Sequence, residues 1–127
     1  MRINFITNIK PSEISGGISG MNAAAYAALS EMADVRYVGP IDPPAGGMAA
    51  YLSKIQRRLG LTGDFYFYSK SRLLEIARLV ARQCDPSADF DFYMGFTPWI
   101  LCSTARPYVA WNDCSFVDYL KIYHNPE

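Results

Sequence analysis

Three short stretches hold the side chains and glycines best placed to do chemistry. In Trp111-Asn112-Asp113-Cys114-Ser115-Phe116, an amide, a carboxylate and a hydroxyl gather between apolar neighbours. Asn112, Asp113 and Ser115 could hold a polar ligand there. Asp113 or Ser115 would serve equally well as the cap of a following helix, because Asp and Ser accept the unpaired N–H groups of a first turn. The second stretch is Gly16-Gly17-Ile18-Ser19-Gly20. Its glycines let backbone amides approach a phosphate or sugar, and a helix start just beyond favours an anion; a flexible connection is the plainer reading. It matches neither the dinucleotide nor the P-loop glycine pattern. The third is Gly95-Phe96-Thr97-Pro98-Trp99, an aromatic beside a hydroxyl that suits a sugar or an acyl group. Trp99 itself reads as a core residue, since large aromatics are mostly buried.

Other constellations carry less. Cys114 and the single histidine, His124, are linked only by closeness in sequence, and a small thiol is more often a buried apolar group than a nucleophile. Asp113 and Asp118 stand near a helix start at a spacing that points them apart, unlike a glycosidase pair. The three cysteines form no Cys-x-x-Cys pair, so neither a disulfide framework nor a zinc site is indicated, and no metal is expected.

The elements that position these stretches follow from the apolar pattern. Ile3 to Thr7 is a short apolar run, as expected of a strand buried on both faces, and Val35 to Val38 is a second, stopped by Gly39-Pro40 where a ribose-binding acid is absent. Between them an alanine-rich run from Met21 to Met32 predicts a helix. A second helix begins after Gly46-Gly47, with Met48, Tyr51, Leu52, Ile55 and Leu59 on one stripe and Gly60 as its left-handed stop. Lys54, Arg57 and Arg58 lie off that stripe. They suggest contact with anionic lipid, although a solvated helix face explains them as well.

Asp64 to Tyr68 reads as a small strand or a packed aromatic loop, and Arg72 to Cys84 as a third helix with Leu73, Ile76, Ala77, Val80 and Cys84 on its inner face. Asp91 to Met94 and the apolar Tyr108 to Trp111 read as two further buried strands. One or two helical turns fall within 99–103, and a last helix over about 115–123. Strands alternating with helices predict an α/β fold: a Rossmann-like, doubly wound parallel sheet in three αβα layers, with the first strand central. Helices, that of Met48 to Leu59 among them, would cover both faces. In such a sheet ligands bind beyond the carboxyl ends of the strands, where the three stretches fall.

The 127 residues fit one domain. Twelve basic and twelve acidic residues cancel, so no global field draws nucleic acid. The first apolar run is too short for a signal peptide, and no stretch reaches the length of a membrane span. A cytoplasmic chain is expected, with peripheral contact at the inner face of the membrane if the basic helix binds lipid.

Taken together, the strand ending in Thr7, the loop Gly16 to Gly20, the stretch Val35 to Ile41 and the run Tyr108 to Phe116 resemble family-4 retaining glycosyltransferases of the GT-B fold. The resemblance spans nearly the whole chain. It implies that residues 1–127 are the amino-terminal, acceptor-side domain, and that the donor nucleotide-sugar is held by a carboxyl-terminal domain with a paired-glutamate motif. The only glutamates here are Glu13, Glu31, Glu75 and Glu127, so that motif is missing. It further implies that Gly16, Gly17 and Ser19 face the donor diphosphate and the acceptor, joined by Thr97, Asn112 and Ser115. Asp113 takes the catalytic end-of-strand position where many relatives carry histidine. The reaction implied transfers a sugar from a nucleotide diphosphate carrier with retention, without metal or other cofactor, to a sugar, lipid or other small acceptor. The chain alone would be inactive and could self-associate through the surface meant for the missing domain. A stand-alone flavodoxin-like domain binding phosphate or nucleotide, and a non-catalytic interaction module, share the same order of elements.

Overall fold

The computed structural model describes residues 1–12, 18–43, 48–60, 69–95, 97–102 and 105–112. The possible strand at 64–68, the possible helix at 115–123 and the residues Gly16, Gly17, Asp113 and Ser115 lie outside them.

Among the described residues four parallel strands make one sheet: β1 (Arg2–Ile6), β2 (Asp34–Val38), β3 (Phe90–Met94) and β4 (Tyr108–Trp111), in the order β2-β1-β3-β4. The helices are α1 (Ile18–Met32), α2 (Met48–Arg58) and α3 (Lys70–Gln83), with a 3-10 turn at Thr97–Trp99. The small α/β domain is therefore as expected, with β1 an inner strand. Helix α1 starts three residues earlier than its alanine pattern suggests. Ile18 to Gly20 form its opening turn, where N–H groups lack helical partners in any case.

Alternation along the strands divides the core in two. Ile3, Phe5, Phe92 and Met94 pack with Ala25, Tyr26 and Leu29 of α1. The Phe5 ring stacks on Phe92 at 5.5 Å and meets the edge of Tyr26 at 5.3 Å. A second cluster joins Ile6, Val38 and Tyr93 to Leu73, Ile76 and Val80 of α3, with Trp99 closing it. Of the stripe foreseen on α3, Leu73, Ile76 and Val80 are buried and Ala77 and Cys84 partly so.

Two expectations fail. Tyr51, Leu52 and Ile55 of α2, and Leu59 just past its end, are exposed, so this apolar stripe does not cover the sheet; the stripe in the core cluster is that of α3. Strand β4, read as buried, is at the edge of the described sheet, and Tyr108, Val109 and Trp111 are all about half exposed. A short apolar run does not distinguish an inner from an edge strand.

At the amino ends of the strands the polar groups bond to one another. Asn4 and Asp91 face each other across β1 and β3 and are both buried. Asn4 Nδ2 donates to Asp91 Oδ1 (2.8 Å) and to the Asp85 carbonyl (3.2 Å), while the Asp85 N–H donates to Asn4 Oδ1 (2.9 Å). Arg106 Nη1 donates to the carbonyls of Asp85 and Ala88 and lies 3.8 Å from Asp91 Oδ1. The backbone N–H and hydroxyl of Ser87 both donate to Asp85 Oδ1, which holds that carboxyl below its usual value.

Candidate functional site

The chain order creates a switch point. From β1 the chain passes to β2 on one side, then returns across β1 to β3 on the other. Connections leaving β1 and β3 in opposite directions open a crevice beyond their carboxyl ends, where open α/β sheets bind ligands. A cavity of about 200 Å³ lies there. Thr7 and Asn8 line it after β1, Met94 and Gly95 at the end of β3, and Trp111 and Asn112 at the end of β4, with Met21 of α1 and Pro98 completing the wall.

Local bonds fix these walls. The Thr7 N–H donates to the Val38 carbonyl (3.2 Å), and the Ile9 N–H donates to Thr7 Oγ1 (3.2 Å), turning the chain just after β1. Asn22, fully buried on α1, ties that turn down by donating from Nδ2 to the Ile9 carbonyl (2.7 Å). Its Oδ1 has no partner among the described residues. Gly95 bends the chain with φ of 79°, a conformation that costs other residues energy, and its N–H donates to the Trp111 carbonyl (2.7 Å). Gly39 is demanded by space: a Cβ there would sit 2.2 Å from the Thr7 carbonyl oxygen.

Of the residues singled out in the sequence, Asn112 stands in the cavity wall and is exposed. Thr97 opens the 3-10 turn next to the lining residue Pro98 and is half-buried, while Trp99 is core, its Nε1 donating to the Met94 carbonyl (2.9 Å). Ser19 lies in the first turn of α1. Lys54 and Arg58 lie elsewhere, beside a separate surface concavity. Thr7, Asn8, Met21 and Met94 were not foreseen. For Thr7, Asn8 and Met94 the signal was present, since they sit at or just past the ends of apolar runs in a parallel sheet.

The described lining contains no titratable side chain, only two amides, a hydroxyl, an indole and apolar groups. Such a wall matches a neutral polyhydroxylated ligand: amides and hydroxyls exchange hydrogen bonds with sugar hydroxyls, and an aromatic face packs on the apolar face of a sugar ring. Among the described residues no cluster of histidine, cysteine or carboxylates is arranged to hold a metal. No described helix is long and apolar enough to cross a membrane. Compared with known proteins, the chain matches no family model, no curated protein and no solved structure.

Proposed function

We propose that this chain is the acceptor-side, Rossmann-like domain of a retaining nucleotide-sugar glycosyltransferase, its parallel sheet doubly wound in three layers. The observation that carries the reading is the cavity at the switch point, walled by Thr7, Asn8, Trp111 and Asn112 and without a charged side chain among its described lining. That wall suits the sugar ring of an acceptor better than a phosphate. Asp113, the next residue in sequence after the lining residue Asn112, would supply the catalytic carboxylate. The Gly16 to Gly20 segment would offer backbone amides to the diphosphate. Charge developing on the leaving diphosphate would be met by those amides and by basic groups of a second domain, so the reaction calls for no metal. On this reading the chain alone transfers no sugar.

Titration of the chain with simple glycosides and with nucleotide-sugars, followed by calorimetry, tests the site. Glycosides are expected to bind weakly, and Trp111→Ala to weaken them about tenfold, the order of one aromatic contact. In an enzyme that joins this chain to a donor domain, Asp113→Asn lowers turnover at least tenfold if the carboxylate bonds in the transition state. Near-normal turnover assigns Asp113 to a helix cap instead, because asparagine caps as well as aspartate. Nucleotide binding indifferent to Trp111→Ala would replace the proposal with a stand-alone nucleotide-binding domain. Binding of neither ligand would leave the interaction module.

A further inference from the structure

Asn22 stands where the core calls for an apolar side chain. On α1 it shares the inward stripe with Ala25, Tyr26 and Leu29, at i, i+3, i+4 and i+7; those three pack on the sheet, and Asn22 is fully buried on the same side. Asparagine costs stability twice at this place. It is a poor helix former beside Ala23, Ala24 and Ala25. Its Oδ1 is also buried with no partner among the described residues, a loss that an apolar side chain would not carry. Only Nδ2 gains, by donating to the Ile9 carbonyl (2.7 Å).

We propose that Asn22 is a positioning residue of the cavity, its amide fixing the turn from Thr7 to Ile9 in the shape that a ligand meets. Thr7 and Asn8 line the cavity, and the Ile9 N–H closes their turn on Thr7 Oγ1. Asn22 holds that turn from its far end. It also joins the turn to α1, whose Met21 lies in the same wall. Ile9 is only half-buried, so without Asn22 its carbonyl can turn towards water and carry Thr7 and Asn8 with it. Asn22 is not itself in the described lining and acts through these two residues. The effect on binding rests on the reading of the cavity as a sugar site; the effect on the turn does not.

The test compares the parent with Asn22→Leu, which is close in size and lacks both amide atoms, by melting, by amide hydrogen exchange and by calorimetric titration with simple glycosides. Loss of the Nδ2 bond and relief of the unpaired Oδ1 oppose each other, so Tm is expected within a few degrees of the parent. The Ile9 amide is expected to exchange severalfold faster, while those of β1 and α1 keep their rates. Glycoside affinity is expected to fall about tenfold, the equivalent of one hydrogen bond, with no lining side chain altered. Should leucine not fit, Asn22→Ala, which adds no atoms, is read in the same way. The proposal is overturned if exchange at Ile9 is unchanged, if exchange rises throughout the chain, or if the variant binds glycosides as the parent does. Loss of the fold in both variants overturns it too, because Asn22 would then hold the core and not the wall. If the parent binds no glycoside, the sugar site falls, and faster exchange confined to Thr7, Asn8 and Ile9 still upholds Asn22 as the residue that shapes the turn.

Discussion

The two ends of the same sheet treat their polar groups in opposite ways. At the amino ends, Asn4, Asp91, Asp85 and Arg106 bond to one another, and Asn4 and Asp91 do so out of reach of solvent. At the carboxyl ends, Thr7 and Asn8 follow β1 and Asn112 follows β4 into an open cavity walled by Trp111. Polar groups satisfied within the protein fix the fold, because their partners cannot be exchanged without loss. Groups in the wall of an open cavity can meet a ligand in addition to the partners they have in the protein. On the proposed function, stability belongs to one end and recognition to the other.

The largest effect expected from breaking this division is at Asp91. Asp91→Ala would leave Asn4 Nδ2 without its 2.8 Å partner and Arg106 without its nearby carboxylate in a buried setting. Truncating one member of such a cluster costs about 3 kcal/mol, or a fall of roughly 10 °C in Tm for a domain of this size. Glycoside affinity, measured below the new Tm, is expected to stay within about twofold, since Asp91 does not line the cavity. Loss of affinity as large as the loss of stability would mean that the two ends are coupled.

Gly39 is next, and it sharpens the comparison from the other side. The Cβ of Gly39→Ala would overlap the Thr7 carbonyl, which is backbone and cannot rotate away, and φ of 153° is itself strained for alanine. A cost of about 2 kcal/mol is expected, read as a lower denaturant midpoint with unchanged slope. Because Thr7 lines the cavity, glycoside binding is expected to weaken as well, unlike in Asp91→Ala. A substitution that lowered stability alone would show that the wall of the cavity tolerates a shift in β1.

Much of this arrangement was legible in the sequence, for a physical reason. Parallel strands buried on both faces are continuous apolar runs, so Ile3 to Thr7 and Asp91 to Met94 stand within a residue of β1 and β3. The inner face of α3 was visible in the spacing of Leu73, Ile76 and Val80, all of them buried. Gly60, read as a helix stop, has φ of 68°. The carboxyl-edge rule brought attention to Asn112. The Asn4–Asp91 pair was not legible, because the two residues are 87 apart and only strand order makes them neighbours. Nor does periodicity reveal whether an amphipathic stripe is covered: α2 and α3 carry equally clear patterns, yet one is exposed and the other buried. Asp113 and the glycines at 16 and 17 lie outside the described residues.

The effect that is smallest at neutral pH is one of titration, and it separates the ends without altering the cavity. Burial, then the negative field of Asp91, pushes the Cys84 thiol from 9.0 up to about 12, and the same two causes push Cys102 from 9.0 up to about 11. A raised thiol value means that the fold retains protons the unfolded chain gives up. The stabilisation is complete below pH 9.0, declines as pH rises, and is lost once the folded values near 11 and 12 are passed. Stability is therefore expected to fall above pH 9, and Cys84→Ala with Cys102→Ala to flatten that decline. Iodoacetamide at pH 9, with the modified peptides resolved by mass so that Cys114 is counted apart, is expected to label Cys84 and Cys102 well below the rate of a free thiol. Asp91→Asn keeps the shape of the side chain while removing its charge, and is expected to speed labelling of both thiols severalfold. Glycoside binding to the cavity, whose described lining has nothing to titrate, is expected to stay level over the same range. Free-thiol labelling rates in the parent would show the Asp91 region to be open to solvent, and the contrast between the two ends would not hold.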